Sequence, residues 1–444
     1  MTNISYSLSK STTNIEEFSR SDEDSTSELT PSEKEPIDRL NLVFFIFFFF
    51  GCSSLVAWNM FITVSFDYYE AFKLQLNGKS NWFSENFQNA MTICAQLPSV
   101  LFCVLSVFKD LRGNLPYRMQ ISLLISEVVL LITMALVYVK TDVWLPTFFV
   151  FTLCTIVILN ASIGVFQNSM FGMVSTFPFK YTNAVIIGQN FNGIFITCLS
   201  IGSKLVSNDA QISALVFFGI AFVILLLCLL LLLIVQKNKF YQRFGVLEKI
   251  NSQRSKKDED QKVLNNLLLV FRYARWQFLN VYLLFFVTLS IFPNITVYIR
   301  PEKAEQFIVP EKFYNDVVTF LNFSIFAFIG NLLANYIKFP GPKWIWIAVI
   351  SRFWFLFYFP LCNYHPESRR FRVIFPFTWL FIANQSLLAL SSGYLSSLIL
   401  MYTPKTCAKP HLQRLAGMIS LVFLLFGIMS GLVFSWVIKL IVLK

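Results

Sequence analysis

The chain has 444 residues, of which 56% are hydrophobic and 14% are charged, and its formal net charge is +11. Because soluble domains typically contain about 25% charged residues, this composition excludes a soluble globular enzyme and a disordered protein. The eight cysteines show no CxxC spacing, which argues against a disulfide scaffold or a zinc site. The composition predicts an all-α integral membrane protein that crosses the bilayer many times.

The first segment, residues 1–41, differs sharply from the rest of the chain. It is rich in Ser and Thr and carries nine acidic and four basic residues. It lacks the apolar core of a signal peptide, so we expect it to remain part of the protein. Its low hydrophobicity predicts a disordered tail.

A series of apolar segments follows, each close to the roughly 20 residues that a membrane-spanning helix needs. We predict eleven spans, at 42–65, 88–109, 117–139, 146–175, 181–205, 212–236, 276–299, 313–338, 343–362, 372–401 and 413–440. A charged loop at 237–275, with ten Lys or Arg residues and four acids, divides them. The predicted organisation is therefore a tail, helices 1–6 in 42–236, the loop, and helices 7–11 in 276–444.

The basic residues predict the orientation, since cytoplasmic segments of membrane proteins are enriched in Lys and Arg. With a cytoplasmic N-terminus, 23 of the 36 Lys and Arg residues lie in cytoplasmic segments and 12 in outer segments, and Arg352 lies inside a span. Eleven spans then place the C-terminus outside the cell. The positive charge is thus a topology signal, and we expect no nucleic-acid partner.

Catalytic chemistry is poorly represented in the sequence. The two histidines, His365 and His411, lie in short loops, and there is no GxxxxGK[ST] segment for ATP. We therefore expect no enzymatic activity, no metal and no cofactor.

Two charged residues lie well inside predicted spans, Glu127 and Arg352. Such residues are functional candidates by default, because a charge in the bilayer is costly. For Glu127 the alternatives are a proton-carrying role and a structural role, either a bond to a neighbouring helix or snorkelling towards the membrane surface, and we favour the structural role. For Arg352 we favour packing or topology.

Uncharged polar side chains are more numerous and occur in seven of the spans. Each amide in hydrocarbon needs a hydrogen-bond partner, and contacts between helices supply many of them. Their number also indicates a path for a neutral, hydrogen-bonding solute, which amides bind by donating and accepting together. Aromatic rings at Trp58, Phe292 and Phe320 are candidates for stacking on a planar ring.

Several of these segments resemble the equilibrative nucleoside transporters. The resemblance is carried by Trp58-Asn59 in the first span, by Gln167-Asn168-Ser169-Met170-Phe171-Gly172 in the fourth, and by Gly393-Tyr394-Leu395-Ser396-Ser397 in the tenth. It extends in order over nearly all of residues 42–440. The family has eleven spans, a cytoplasmic N-terminus, a large loop after the sixth span and an extracellular C-terminus, as predicted above.

The resemblance implies a 6+5 arrangement of helices similar to the major facilitator fold, with a nucleoside between the two halves. It implies that Gln167 recognises the base. The implied substrate-binding residues are Leu55, Trp58, Ile62, Gln96, Ser99, Gln167, Phe292, Phe320 and Ser324.

Two departures from the family bear on this expectation. The family usually has an Asp and an Arg, linked with the sugar hydroxyls, where this chain has Ala327 and Asn331. Recognition of the ribose is then in question. At the cytoplasmic side, Arg118 is retained but a family acid is replaced by Arg414, so two bases face the expected gate. Glu127 or a backbone carbonyl is a candidate substitute for the lost acid.

We therefore predict a facilitative transporter of nucleosides or nucleobases that works by alternating access in the plasma membrane as a monomer. The alternatives are a proton-coupled importer that uses Glu127, a transporter of another small planar solute, and a ligand sensor that has lost transport. An intracellular membrane is the alternative location. Lipid and the substrate are the only expected partners.

Overall fold

The computed structural model describes residues 38–75, 79, 81–109, 114–141, 144–206, 209–243, 259–302, 307–366 and 369–443. Residues 1–37 of the predicted tail and 244–258 of the predicted loop lie outside this part of the chain. Eleven apolar helical segments follow one another: α1 Leu42–Val64, α2 Trp82–Lys109, α3 Leu115–Val137, α4 Leu145–Val174, α5 Phe179–Val206, α6 Ala210–Val235, α7 Glu259–Ile291, α8 Asn315–Tyr336, α9 Ile345–Leu361, α10 Thr378–Lys405 and α11 Pro410–Val442.

Ten of these helices are long and apolar enough to cross a membrane, and α9 is shorter. The ninth predicted span, 343–362, is helical at Ile345–Ser351 and Trp354–Tyr358 and ends in a tight 3-10 turn at Phe359–Leu361. Around Arg352 the backbone hydrogen bonds join residues three apart in the sequence instead of four, as in the bond from the Phe353 amide to the Ile350 carbonyl. The all-helical prediction is thus confirmed, whereas α9 is irregular.

Helix boundaries differ most from the prediction at α7 and α10. The helix α7 begins at Glu259, inside the segment 237–275 that we predicted as a loop, and α10 begins at Thr378 rather than at 372. The hydropathy pattern reports only the part of a helix that lies in hydrocarbon. A helix can continue into water, so the charged first turns of α7 escaped the prediction.

The helices alternate between two ends of the bundle. We define the near end as the one where α1 begins and the far end as the opposite one. At the near end, Lys180 Nζ at the start of α5 donates to Asn41 Oδ1 (3.4 Å), and Gln277 of α7 donates to the Pro342 carbonyl just before α9 (2.8 Å). At the far end, the Arg300 amide donates to the Asn363 carbonyl beyond α9 (3.1 Å). The helix α9 therefore runs from one end to the other.

Within each half, glycines bring pairs of helices into backbone contact. A Cβ on Gly51 or Gly188 would collide with the carbonyl of Val185 or Phe48, so α1 and α5 touch directly. In the second half, a Cβ on Gly330 or Gly393 would collide with the backbone of α10 or α8. Small residues permit this close approach, which strengthens van der Waals packing where lipid gives no hydrophobic gain.

The two halves, α1–α6 and α7–α11, meet along two seams. Helix α5 packs on α8 and α10, and helices α2 and α4 pack on α11. In the second seam, Asn168 of α4 donates to the Met418 carbonyl of α11 (3.3 Å). A Cβ on Gly417 of α11 would lie 2.4–2.8 Å from Ser175 and Phe171. Both contacts are at the near end, because α4 ends and α11 begins there. The halves are therefore held together by specific polar and close contacts.

The glycine contacts generate a stability prediction. We expect Gly393→Ala to destabilise the protein by about 1–3 kcal/mol, because the new methyl group has to displace the backbone of α8. Thermal unfolding of the purified protein in detergent measures the change. The control is Gly219→Ala in α6, where the added Cβ has no atom of another described element within 4 Å. Equal melting temperatures for the two variants would contradict the prediction.

Candidate functional site

The predicted residues of α1 share one face of that helix. Leu55, Trp58 and Ile62 are spaced by three and four residues, which places them above one another. All three are partly exposed, whereas Val56, Met60 and other neighbours are buried. The pattern gives α1 a face that the protein does not cover completely.

Gln167 of α4 lies beside this helix and connects it to its neighbours. Its side chain is buried, with 5% of its surface exposed, and Nε2 donates to the Ser54 carbonyl of α1 (2.9 Å). Gln189 of α5 donates to the hydroxyl of the same Ser54 (3.1 Å). Three helices of the first half thus meet at Ser54, a residue that the sequence analysis did not single out because a serine in a helix carries no positional signal.

The predicted residues of α2 are placed differently from one another. Ser99 is buried, and its carbonyl would lie 2.7 Å from a Cβ on Gly164, so α2 and α4 touch here. Gln96 is partly exposed. Ser99 thereby contributes a close helix contact, and Gln96 remains accessible.

The predicted aromatic residues of the second half form a cluster of rings. Phe292, which follows α7, stacks on Phe323 with centroids 3.8 Å apart and meets Phe320 edge-on at 5.9 Å. Phe323 was not predicted. One face of Phe292 is consequently covered by another protein ring, so a ligand can stack only on the remaining faces of the cluster.

Ser324 reaches across to the first half. Its hydroxyl would lie 2.6 Å from a Cβ on Gly193 of α5, so the absent side chain at Gly193 makes room for it. Ser324 lies one turn from Phe320, with 9% of its surface exposed. This contact brings the aromatic cluster of the second half close to α5.

Ala327 and Asn331 lie in the crossing of α5, α8 and α10. Ala327 is 2% exposed and its carbonyl touches Gly393. Asn331 is wholly buried; its Nδ2 donates to the Ile186 carbonyl (3.3 Å) and its Oδ1 accepts from Ser397 (3.1 Å). Both side-chain groups of Asn331 are therefore used between helices, which explains how the fold accommodates an uncharged residue here.

Of the predicted gating residues, the two arginines lie in the first turns of their helices, whereas Glu127 lies deeper in α3. Arg118 lies in the first turn of α3 and Arg414 in the first turns of α11, both partly exposed and both with partners inside the protein. Glu127 lies nine residues after Arg118, about 13 Å along the helix. It is 6% exposed, and neither of its carboxyl oxygens makes a hydrogen bond within the described part of the chain. The structure therefore does not pair Glu127 with either arginine.

Arg352 has a different environment from that of Glu127. It is 2% exposed and donates to the Leu284 and Leu388 carbonyls and to the hydroxyls of Thr288 and Ser391, at 2.9–3.2 Å. It therefore joins α7, α9 and α10, which is the packing role that we favoured. A cavity of about 560 Å³ lies beside it, lined by α9, α10 and the segment that follows α8, and none of the predicted substrate residues lines it.

The hydrogen bonds of Asn331 generate a second stability prediction. We expect Asn331→Ala to destabilise the protein by about 1–3 kcal/mol, because in a buried crossing the Ser397 hydroxyl loses its Asn331 acceptor and the Ile186 carbonyl loses one of its donors. Thermal unfolding in detergent is the measurement. In the control, Asn86→Ala on α2, the lost bond joins Asn86 to the Trp82 carbonyl of its own helix, so the change is expected to stay within about 0.5 kcal/mol. An equal loss of stability in both variants would contradict the prediction.

Comparison with known proteins adds a family match to this geometry. The family model described as "Nucleoside transporter" matches residues 153–440. The chain is 28% identical to "Equilibrative nucleoside transporter 1" of Homo sapiens, over 92% of this chain and 99% of that protein. It is 30% identical to "Equilibrative nucleoside transporter 3" of Rattus norvegicus, over 90% of this chain and 89% of that protein.

More distant matches extend the comparison. The chain is 25% identical to "Equilibrative nucleotide transporter 1" of Arabidopsis thaliana, over 91% of this chain and 88% of that protein. Among solved structures, it is similar to the major facilitator superfamily transporter FucP in the outward conformation, with a TM-score of 0.60 and 13% identity, over 92% of this chain and 98% of that one. The structural match shows a fold like that of the major facilitator transporters.

Proposed function

Because the chain belongs to the nucleoside transporter family, we propose that it carries nucleosides or nucleobases across a membrane by facilitated, alternating-access transport. The family is one of transporters and not of enzymes. Alternating access requires two halves that separate at one end at a time around a central site. The two seams between α1–α6 and α7–α11 meet that requirement. The gradient of the solute supplies the driving force.

The observation that carries this proposal is the environment of Gln167. Its Nε2 is held by the Ser54 carbonyl, while its Oε1 makes no hydrogen bond to the described part of the chain. A fixed amide with an open carbonyl can accept from the N–H edge of a base, and burial strengthens that bond. We therefore assign Gln167 to base recognition, with Trp58 and Phe320 as stacking partners.

The neutral crossing at Ala327 and Asn331 bears on the choice of solute. Because both side-chain groups of Asn331 are used within the protein, this position offers no charge for sugar hydroxyls. We propose that recognition depends mainly on the base, which extends the substrate class to nucleobases and other small planar solutes.

The membrane arrangement completes the proposal. We propose eleven crossings with α9 as the ninth, a cytoplasmic near end and N-terminus, and an extracellular C-terminus. The excess of Lys and Arg in near-end segments supports this orientation. We propose the plasma membrane as the site of action and a monomer as the working unit.

Uptake measurements test the role of Gln167. In a host without nucleoside uptake, we expect the wild type to give saturable uptake of purines or pyrimidines. Gln167→Ala is expected to raise KM by up to about tenfold, because it removes one buried hydrogen bond to the base. The control is Asn160→Ala on the same helix. Within the described part of the chain, the Asn160 side-chain amide donates to the Ile156 carbonyl of its own helix.

Two outcomes would contradict this proposal. Uptake that never exceeds background for any purine or pyrimidine, with ligand-induced thermal stabilisation retained, would favour the sensor alternative. An unchanged KM in Gln167→Ala would remove Gln167 from the site.

Proton-coupled import is a second candidate, which the environment of Glu127 favours. A carboxyl that is buried in a membrane helix without a partner is typical of proton relays. Among the described residues, neither Glu127 oxygen has a hydrogen-bond partner, in agreement with that description.

A pH gradient imposed on proteoliposomes separates the two candidates. For facilitated transport we expect no accumulation above equilibrium, and the same uptake in the wild type and in Glu127→Gln. Coupled transport would instead give accumulation driven by the pH gradient, and Glu127→Gln would abolish it. The control is Glu85→Gln, which changes an exposed residue of α2 and would leave the accumulation intact.

A further inference from the structure

We propose that the ion pair between Lys204 of α5 and Asp316 of α8 is the far-end gate of the transport path, the contact whose rupture opens that end. The proposal rests on the proposed function, because alternating access requires α5 and α8 to separate at each end in turn. The Lys204 Nζ lies 2.7 Å from Asp316 Oδ2. These residues belong to different halves of the protein.

The position of this ion pair follows from the register of the two helices. The helices α5 and α8 are antiparallel and meet at successive levels from the near end to the far end: Asn183 with Asn331 and Asn335, Phe191 with Phe328, Gly193 with Ser324, and Lys204 with Asp316. The 21 residues from Asn183 to Lys204 span about 32 Å, which is close to the thickness of the hydrocarbon layer. The ion pair therefore lies at the far-end border of the membrane.

The near end of the same seam is fastened differently. Asn183 is wholly buried and donates to the Asn331 carbonyl and to Asn335 Oδ1, each at 2.8 Å. Separating these groups exposes several buried amides together. The near end is also fastened in the second seam, by Asn168 and the Met418 carbonyl.

The far-end ion pair can separate at a much lower cost. The side chains of Lys204 and Asp316 retain 33% and 11% exposure, so water reaches the pair. A partly exposed ion pair contributes little net stability, because each charge regains hydration when the pair breaks. Such a pair can hold the far end closed and still open repeatedly, as a gate must.

The local backbone also distinguishes this site. Asp316 lies in the π-helical segment Asn315–Leu321 at the start of α8, where the turns are wider than in an α-helix. Wide turns of this kind occur often at functional sites and are places where a helix can bend. A bend here would move Asp316 relative to Lys204 without disturbing the glycine contacts of α8 deeper in the bundle.

Accessibility of an introduced cysteine tests the gate directly. Ser200 is buried one turn deeper than Lys204 on the same face of α5. We place Ser200→Cys in a protein whose exposed cysteines, Cys154 and Cys198, are changed to Ala, and measure its modification by a membrane-impermeant thiol reagent. Asp316→Asn is expected to raise the modification rate by about fivefold, which corresponds to the small stability contribution of a partly exposed ion pair.

Charge exchange and a second ion pair supply the controls. The double variant Lys204→Asp with Asp316→Lys restores opposite charges and is expected to return the rate to within about twofold of the parent. Glu311→Gln breaks the ion pair of Arg300 and Glu311, which lies at the same end but within the second half, and is expected to leave the rate unchanged. Lys204→Gln repeats the test from the other partner if Asp316→Asn fails to fold.

The outcomes are separable from those of the proposed function. An unchanged modification rate in both Asp316→Asn and Lys204→Gln, or a charge exchange that fails to restore the rate, would overturn the gate. If the wild type shows no uptake while the labelling rates follow the ion pair, the gate stands as a conformational contact and the proposed transport function fails.

Discussion

A polar group inside the hydrocarbon layer has to find its hydrogen-bond partner within the protein, and this constraint organises the whole bundle. Helix α5 meets it with amides that bind other helices: Asn183 binds α8, and Gln189 binds Ser54 of α1. Asn183 thereby also joins the two halves, whereas Gln189 joins two helices of the first half.

The same constraint separates the two buried charges of the spans. Arg352 is surrounded by carbonyl and hydroxyl oxygens that accept four hydrogen bonds, so it serves to hold three helices together. Within the described part of the chain, neither oxygen of Glu127 has such a partner. Inside a membrane helix, the satisfied charge is a structural element and the unsatisfied one is a candidate for function, and this contrast assigns different roles to two residues with the same sequence signal.

Much of the fold was predictable from the sequence because hydropathy directly indicates which segments lie in the hydrocarbon layer. Ten of the predicted spans correspond to long apolar helices, and the resemblance to the nucleoside transporters is confirmed by the family match. The early start of α7 and the break at Arg352 were missed, because a helix in water and a change of turn width leave no trace in hydropathy.

The candidate site was harder to predict than the fold. Gln167 and Ser324 were named from the resemblance, but the partners that position them, Ser54 and Gly193, carry no signal of their own in a single sequence. The pairing of Lys204 with Asp316 depends on two helices that are about 110 residues apart in the chain. Hydropathy and local motifs contain no information on such a pair.

The distribution of rigid contacts determines where the molecule can move. Glycine contacts press α5 against α1 in the first half and α8 against α10 in the second, with backbone atoms so close that little sliding is possible. Each of these helices must then move as part of its own half. The surfaces that yield in the proposed alternating access are consequently those between the halves, such as the one between α5 and α8, where the described side chains meet through hydrogen bonds and an ion pair. Opening of either end in the proposed transport cycle therefore has to break contacts between the halves while the glycine contacts within each half persist.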